Sequence, residues 1–213
     1  MSMNATAMAT AIQVEMGFPS PPSEELIGWS SGLIAGLTAA SFSNPPGTIV
    51  GICDPGGPLL LGAGTLGVIT GMIPATIASD IAEGAGYLGV SSQLSSFCAQ
   101  IVTHIQTLGL ITFEPNSVIG VCTNTPISPG AMIGKASGGK ISGLSGSVLA
   151  AAIHSTVGYP GVVSGSLTSF CTGMVNYIMD NADFAYPDGQ VTGACPPGSG
   201  PLSGGTGVQG VIS

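Results

Sequence analysis

The chain has 213 residues and a formal net charge of −8, and only 6% of its residues are charged. It contains two lysines, Lys135 and Lys140, and no arginine. Nucleic-acid-binding proteins neutralise several phosphates with Lys or Arg side chains, so this composition excludes that class. A surface so poor in charge favours association. We therefore expect it to be buried against other protein subunits, with burial in a membrane as the alternative.

One pattern of residues occurs three times along the chain. Each copy contains an aromatic residue on an apolar face and, further on, a Gly-x-Cys sequence; the aromatic residues are Trp29, Phe97 and Phe170, and the cysteines are Cys53, Cys122 and Cys195. Repeats of this kind indicate one structural unit used several times. The pattern predicts an α+β fold of three tandem repeats of about 70 residues, 1–71, 72–143 and 144–213.

Each segment begins with an alanine-rich stretch whose apolar residues recur at spacings of three and four. This periodicity predicts helices over residues 4–16, 74–85 and 146–157. A glycine follows each stretch, at Gly17, Gly86 and Gly158, where a left-handed residue would end the helix. The aromatic residue after each glycine is expected to fold back onto the core; these residues are Phe18, Tyr87 and Tyr159.

A second helix is predicted in each segment, over residues 24–37, 93–105 and 166–179. In the first segment a loop containing Pro19 and Pro21 precedes it. The predicted N-caps are serines, whose side chains satisfy free backbone amides; they are Ser23, Ser91 or Ser92, and Ser164. Ser, Thr, Gly and Ala occupy the face opposite the apolar residues, so another backbone could approach this face closely.

The remainder of each segment is rich in glycine and proline and predicts two or three short strands. The clearest strand patterns are residues 48–52, 117–121 and 190–194. Open edges of such a sheet would pair with a neighbouring segment or another chain. Each segment is therefore predicted to contain two helices followed by short strands.

Two uncharged stretches, residues 26–52 and 55–79, are each long enough to span a bilayer. Proline and glycine interrupt both, and a spanning segment needs a continuous helix or a closed set of strands. These interruptions argue against membrane insertion, which is kept as the alternative hypothesis.

The residues Gly62, Gly64 and Gly67 match the dinucleotide-binding pattern G-x-G-x-x-G. That motif requires a strand, a turn and a helix, with an acidic residue about 20 positions later. Asp80 lies too close, and the equivalent positions in the other segments do not preserve the pattern. We interpret these glycines as a structural turn, and no cofactor is predicted.

The five cysteines lack the close spacing of a zinc site, so no metal site is predicted. Two interpretations remain open for Cys98, Cys122, Cys171 and Cys195. The first is two disulfides, Cys98–Cys122 and Cys171–Cys195. Each would stabilise the folded state by about 3 kcal/mol, because it restricts the unfolded chain. The second, which we favour, is buried thiols that pack a helix against a strand, because Ser30 replaces the helical cysteine in the first segment.

No catalytic constellation is apparent, and we predict that the protein is not an enzyme. His104 and His154 lie on different predicted helices and do not recur between segments, so they are interpreted as solvated side chains. Asp180, Asp183 and Asp188 form an acidic group without the spacing of a known calcium loop, and this group is interpreted as a solvated loop.

The Gly-x-Cys sequences continue into proline- and glycine-rich stretches at residues 51–59 and 193–202. Together with the small residues, the short repeats and the low charge, this pattern resembles the virion structural proteins of tailed phages. The resemblance implies a non-enzymatic subunit of a larger assembly, such as a tail, baseplate, neck or capsid decoration, located in the virion and assembled in the host cytoplasm. Its partners would be other protein subunits.

Overall fold

The computed structural model describes residues 3–18 and 21–213, and its mixture of helices and strands confirms the α+β class. Pro19 and the first two residues of the first segment lie outside the described residues. The helices are α1 (Ala5–Glu15), α2 (Glu24–Thr38), α3 (Pro74–Gly84), α4 (Ser92–Leu108), α5 (Gly146–Val157) and α6 (Gly165–Asn181). The strands are β1 (Ser41–Cys53), β2 (Leu59–Thr70), β3 (Leu110–Phe113), β4 (Val118–Cys122), β5 (Gly130–Ser142), β6 (Phe184–Cys195), β7 (Gly200–Pro201) and β8 (Ser203–Ile212).

The chain divides into two compact units that follow the type of secondary structure. The helical unit comprises Met1–Ala40, Gly71–Gly109 and Gly143–Ala182, and the strand unit comprises Ser41–Thr70, Leu110–Ser142 and Asp183–Ser213. Each of the three predicted segments therefore contributes two helices to one unit and strands to the other.

The helical unit is a ring in which each helix contacts the next one along the chain and α6 contacts α1. All six predicted helices are present. The predicted glycines after the first helix of each segment are also confirmed, because Gly17, Gly86 and Gly158 have φ angles of +75°, +74° and +77°. Serine side chains accept backbone hydrogen bonds at the starts of the second helices, from Ser23, Ser91 and Ser164.

Glycines along α2 allow α3 to approach very closely. A Cβ atom on Gly32 would lie 2.6 Å from the carbonyl carbon of Asp80 and 2.7 Å from Cα of Ile81. Gly28 and Gly36, one turn away on either side, face the backbone of Gly84 and the side chain of Ile77 in the same way. The small-residue face predicted for the second helix is thus a site of helix–helix contact.

The core of the helical unit consists of aliphatic side chains from all six helices. The fully buried ones include Ile12, Leu33, Leu37, Ile77, Ile81, Ile101, Leu149, Ile153 and Met174. Burying a side chain of this size stabilises the folded state by about 1.5–3 kcal/mol. The apolar periodicity at spacings of three and four therefore places these residues on the inward face of each helix.

His104 belongs to this core, and its prediction as a solvated side chain was wrong. The imidazole on α4 is 5% exposed, and its Nε2 accepts a hydrogen bond of 3.0 Å from the backbone N–H of Ser145. Ser145 is the N-cap of α5, so His104 satisfies one of the free amides at the start of that helix. Burial lowers the pKa of His104 below its ordinary value of 6.5, because the charged form loses its hydration.

This arrangement predicts that the protein loses stability as the pH falls from 7 to 5. The unfolded chain takes up a proton at His104 near pH 6.5, whereas the folded chain does so only at lower pH. The contribution of His104 to the free energy of unfolding is therefore fully present above pH 6.5. It decreases as the pH falls from there towards the pKa of His104 in the folded state. Thermal unfolding followed by circular dichroism should show this loss, and His104→Gln should reduce it. His154→Gln leaves the His104–Ser145 hydrogen bond in place and serves as control; an equal effect of both substitutions would contradict the prediction.

The strand unit is a closed antiparallel sheet. The hydrogen-bonded order is β2–β3–β5–β6–β8–β1, and β1 pairs again with β2, which completes the ring. β3 and β4 pair with successive parts of β5, and β7 pairs with β1. Of the two neighbours predicted for open sheet edges, the described residues show the neighbouring segment. β2 of the first segment pairs with β3 of the second, β5 with β6 of the third, and β8 with β1 of the first.

Aromatic side chains fill the inside of the closed sheet. Phe42 lies 6.0 Å from Phe113, 5.3 Å from Phe184 and 4.5 Å from Tyr186, measured between ring centroids, and each of the four rings is at most 2% exposed. The Tyr186 hydroxyl donates a 2.9 Å hydrogen bond to Oδ1 of the buried Asn44, so its polar group is satisfied. These contacts join residues from all three segments.

The glycines of the apparent dinucleotide motif lie within β2 rather than in a turn, so their interpretation as a turn was wrong. A Cβ on Gly64 would approach the ring of Phe113 to 3.2 Å, and one on Gly67 would lie 2.9 Å from Cβ of Ile111. Glycine occurs there because side chains of the neighbouring strand β3 cover the backbone. The strand–turn–helix geometry that binds a dinucleotide is not formed by these residues.

Candidate functional site

The second helices of the three segments bring their aromatic residues together in the helical unit. Trp29 lies 6.1 Å from Phe97 and 4.9 Å from Phe170, and Phe97 lies 5.9 Å from Phe170, between centroids. All three pairs are close to perpendicular, with interplanar angles of 86°, 80° and 75°. Edge-to-face pairs of this kind contribute about 0.5–1.5 kcal/mol each beyond their burial.

The position of these rings follows from the local sequence. Each serine N-cap accepts a hydrogen bond from the amide three residues later, at Leu26, Leu94 and Leu167. The aromatic residue follows that leucine by three positions, so both side chains lie on the same face of the helix. The same capping geometry in α2, α4 and α6 therefore places a leucine and an aromatic residue at the same distance along each helix from its N-cap.

A pocket of about 390 Å³ lies beside this aromatic cluster. Its lining comes from all three segments and consists of Met16, Trp29, Tyr87, Gln93, Leu94, Phe97, Tyr159, Ser166, Leu167 and Phe170. A second pocket of about 340 Å³ shares Met16, Trp29, Tyr87 and Phe170 with it. We call the two together the aromatic pocket; its size and apolar lining suit a small apolar ligand or an apolar side chain.

The aromatic residues after Gly17, Gly86 and Gly158 line pockets instead of folding back into the core, which corrects the sequence-based expectation. Phe18, Tyr87 and Tyr159 are 57%, 42% and 46% exposed. Burial raises the pKa of Tyr87, and a hydrogen bond with the carboxylate of Glu25 raises it further. The left-handed glycine before each of them turns the chain out of the helix, so the ring that follows leaves the buried face.

The lining of the aromatic pocket is mainly apolar. Among the described residues that line it, Glu25 is the single charged side chain. His154 lies beside the neighbouring Tyr159, with 6.1 Å between ring centroids, and it is half-buried, which corrects its interpretation as solvated. Hydroxyl and amide groups in the lining can orient a ligand.

The structure separates the five cysteines into two groups. All five are free and buried. Cys98 and Cys171 lie in the helical unit, where burial raises the pKa of Cys98 to about 11 and that of Cys171 to about 12. Thiols with raised pKa values react slowly. Burial raises the pKa of Cys53 and Cys195 as well, so the two groups of cysteines differ in position and not in the direction of this shift. Ser30 occupies the corresponding place in α2 and is also fully buried.

The other three cysteines, Cys53, Cys122 and Cys195, form a cluster in the closed sheet, which we call the thiol cluster. Their sulfur atoms all lie within 4.8 Å of one another. The sequence-based argument against a thiolate site relied on spacing along the chain and does not hold in three dimensions. The one signal that could have found the cluster was the repetition itself, since each cysteine occupies the same position in its segment.

The three aspartates singled out from the sequence play separate roles. Asp188 forms an exposed ion pair of 3.1 Å with Lys135. The backbone of Asp183 exchanges hydrogen bonds with that of Ser213, and Asp180 lies near the end of α6. Within residues 3–18 and 21–213, the thiol cluster is the one group of three His, Cys, Asp or Glu side chains whose ligand atoms meet.

Neither the sequence nor the structure has a match among protein-family models, curated proteins or solved structures. In the part of the chain that the structure describes, no helix combines the length and the apolar character needed to cross a membrane.

Proposed function

We propose that the protein is a non-enzymatic structural subunit of a larger protein assembly, most consistent with a phage virion component. The observation that carries this proposal is the outward face of the closed sheet. Eleven large apolar side chains on its strands are 39% to 61% exposed: Val50, Ile52, Leu60, Leu61, Leu66, Leu110, Ile119, Val121, Ile133, Val208 and Val211. Exposed apolar surfaces of soluble proteins often mark sites of protein–protein interaction.

The pairing of the strands places several of these side chains next to each other. Ile52 lies opposite Leu60, and Val121 lies opposite Ile133. The eight strands contain three charged residues, Lys135, Lys140 and Asp188, and the first and last of these form an ion pair. Since charges on the surface of a sheet oppose association, their scarcity favours burial of this face against another subunit.

We further propose that residues 1–71, 72–143 and 144–213 arose as three tandem copies of one module. Two arrangements support this: the aromatic cluster and the thiol cluster each take one residue from the same position of each segment. A chain built from three similar segments offers three similar surfaces and would suit a threefold or sixfold site in an assembly. The aromatic pocket would be a further apolar surface for a partner.

The proposal predicts that the purified protein is a defined oligomer in aqueous buffer. The double substitution Val121→Glu and Ile133→Glu introduces two like charges at a cross-strand pair and should convert the oligomer to smaller species. Val148→Glu provides the matched control, because Val148 is 52% exposed in the first turn of α5, where a negative charge is favourable. Light scattering after size-exclusion chromatography measures the molar mass of the wild type, the double variant and the Val148→Glu control.

Two results would oppose the proposal. One is a monomer in the absence of detergent whose mass the double substitution leaves unchanged. The other is recovery of the wild-type chain in detergent alone, which would favour the membrane alternative.

A further inference from the structure

The three cysteines of the thiol cluster occupy equivalent ends of three strands. Cys53 is the last residue of β1, Cys122 of β4 and Cys195 of β6. Each is at most 1% exposed, and the three sulfur atoms are mutually within 4.8 Å. Three sulfur atoms that each lie about 2.3 Å from one ion in their common plane are about 4.0 Å apart. A small contraction of the cluster therefore suffices to place one metal ion at its centre.

Hydrogen bonds connect the loops that follow these cysteines. The amide of Asn124 donates hydrogen bonds of 2.6 and 2.7 Å to the carbonyl oxygens of Pro196 and Gly198. The backbone N–H of Cys122 donates a 2.8 Å hydrogen bond to Gly57, in the loop after Cys53. The hydroxyl of Ser199 reaches Asp54 at 3.3 Å. Ligands held in this way are positioned before an ion arrives, which reduces the cost of assembling the site.

The ligand set selects the class of metal. Thiolate sulfur is a soft ligand that prefers Cu(I), Zn(II) and iron–sulfur centres to hard cations. Structural zinc sites are almost always four-coordinate, whereas in the described residues the cluster supplies three ligands, each at most 1% exposed. Cu(I) is stable with three thiolate ligands and needs no fourth.

We propose that Cys53, Cys122 and Cys195 form a three-coordinate thiolate site for a single Cu(I) ion. Binding forms three copper–sulfur bonds and releases the three thiol protons to solvent, and the oxidation state of the copper does not change. The ion would link the three segments at one end of the closed sheet. This inference is independent of the proposed role in an assembly.

The site is tested with the full-length, reduced protein under anaerobic conditions. Cu(I) is added in competition with a chromogenic Cu(I) chelator, and the bound metal is counted by native mass spectrometry. We expect one Cu(I) per chain and an X-ray absorption spectrum with three sulfur neighbours. Changes to residues around metal ligands typically reduce affinity 10- to 100-fold, so loss of a ligand in Cys122→Ser should reduce it by at least roughly 100-fold.

Cys98→Ser is the matched control, because Cys98 is a buried thiol outside the cluster and Ser30 already occupies the corresponding place in α2. This variant should bind copper as the wild type does. Cys122→Ala accompanies Cys122→Ser, since a buried hydroxyl can disturb folding where a methyl group does not. The absorption spectrum of the wild type tests the ligand set without any substitution.

Several results would overturn the proposal. These are no copper retained by the wild type against the chelator, equal retention by Cys122→Ser and Cys98→Ser, or a spectrum with nitrogen or oxygen neighbours. Preferential binding of Zn(II) with a fourth ligand would also overturn it. A disulfide between two of the three cysteines in the intact mass of the purified protein would show that the cluster is a redox pair instead.

Discussion

Replacing Gly32 with alanine is expected to destabilise the helical unit by at least about 2 kcal/mol. In an exposed helix the same change would stabilise by about 1 kcal/mol, because alanine has the higher helix propensity. At Gly32 the new methyl group would overlap the backbone of α3, at 2.6 Å from the carbonyl carbon of Asp80 and 2.7 Å from Cα of Ile81. Backbone atoms cannot move aside as a side-chain end can, so α2 and α3 would have to separate.

The measurement is urea unfolding followed by the fluorescence of Trp29, the single tryptophan, which lies in the helical unit. Gly165→Ala is the matched control, because Gly165 opens α6 and a Cβ there would meet nothing within 4 Å. It should stabilise by about 0.4–1 kcal/mol. Gly32→Ala should therefore lower the free energy of unfolding and Gly165→Ala should raise it. A change in the same direction for both would show that α2 and α3 are not in backbone contact.

Replacing Phe42 with alanine is expected to cost about 3–5 kcal/mol, the range for removing a buried aromatic ring. Phe42 is fully buried and contacts three other aromatic rings inside the closed sheet. Its loss leaves a cavity bounded by Phe113, Phe184 and Tyr186, which the closed hydrogen-bonded ring prevents from collapsing. The expected effect is large because each strand is held on both sides.

Denaturant unfolding followed by near-ultraviolet circular dichroism of the tyrosines checks this result. Phe113→Ala and Phe184→Ala should have comparable effects, since both rings are at most 2% exposed in the same core. Ile119→Ala is the control, because Ile119 is 49% exposed on the outer face and its loss should cost less than about 1 kcal/mol. A Phe42→Ala effect as small as that of Ile119→Ala would contradict the packing described for the sheet.

The helices could be predicted from the sequence because the forces that specify them act within a few residues. The spacing of Met8 and Ile12, the serine at position 23 and the glycine at position 17 each indicate helical structure locally. The left-handed conformation of Gly17 followed from its place after an apolar helix. The strand patterns near Val50 and Val191 were recognisable for the same reason, although their full lengths were not.

The errors concern contacts between distant residues. Nothing near Gly64 and Gly67 in the sequence shows that side chains of the neighbouring strand β3 cover these glycines of β2. Likewise, the burial of His104 depends on Ser145, a residue of another segment. Such contacts are absent from local patterns because they form only when distant strands and helices pack together.

The fold class, the six helices, the serine N-caps of α2, α4 and α6 and the glycines after α1, α3 and α5 were predictable from the sequence, because they depend on spacing and local hydrogen bonding. The recurring positions of the aromatic residues and cysteines were visible there too. The tertiary structure decided that the sheet closes and that Trp29, Phe97 and Phe170 line a common pocket. It also decided that Cys53, Cys122 and Cys195 meet. This is because closure of the strand ring, and separately of the helix ring, brings corresponding positions of distant segments into contact, which no single segment can specify alone.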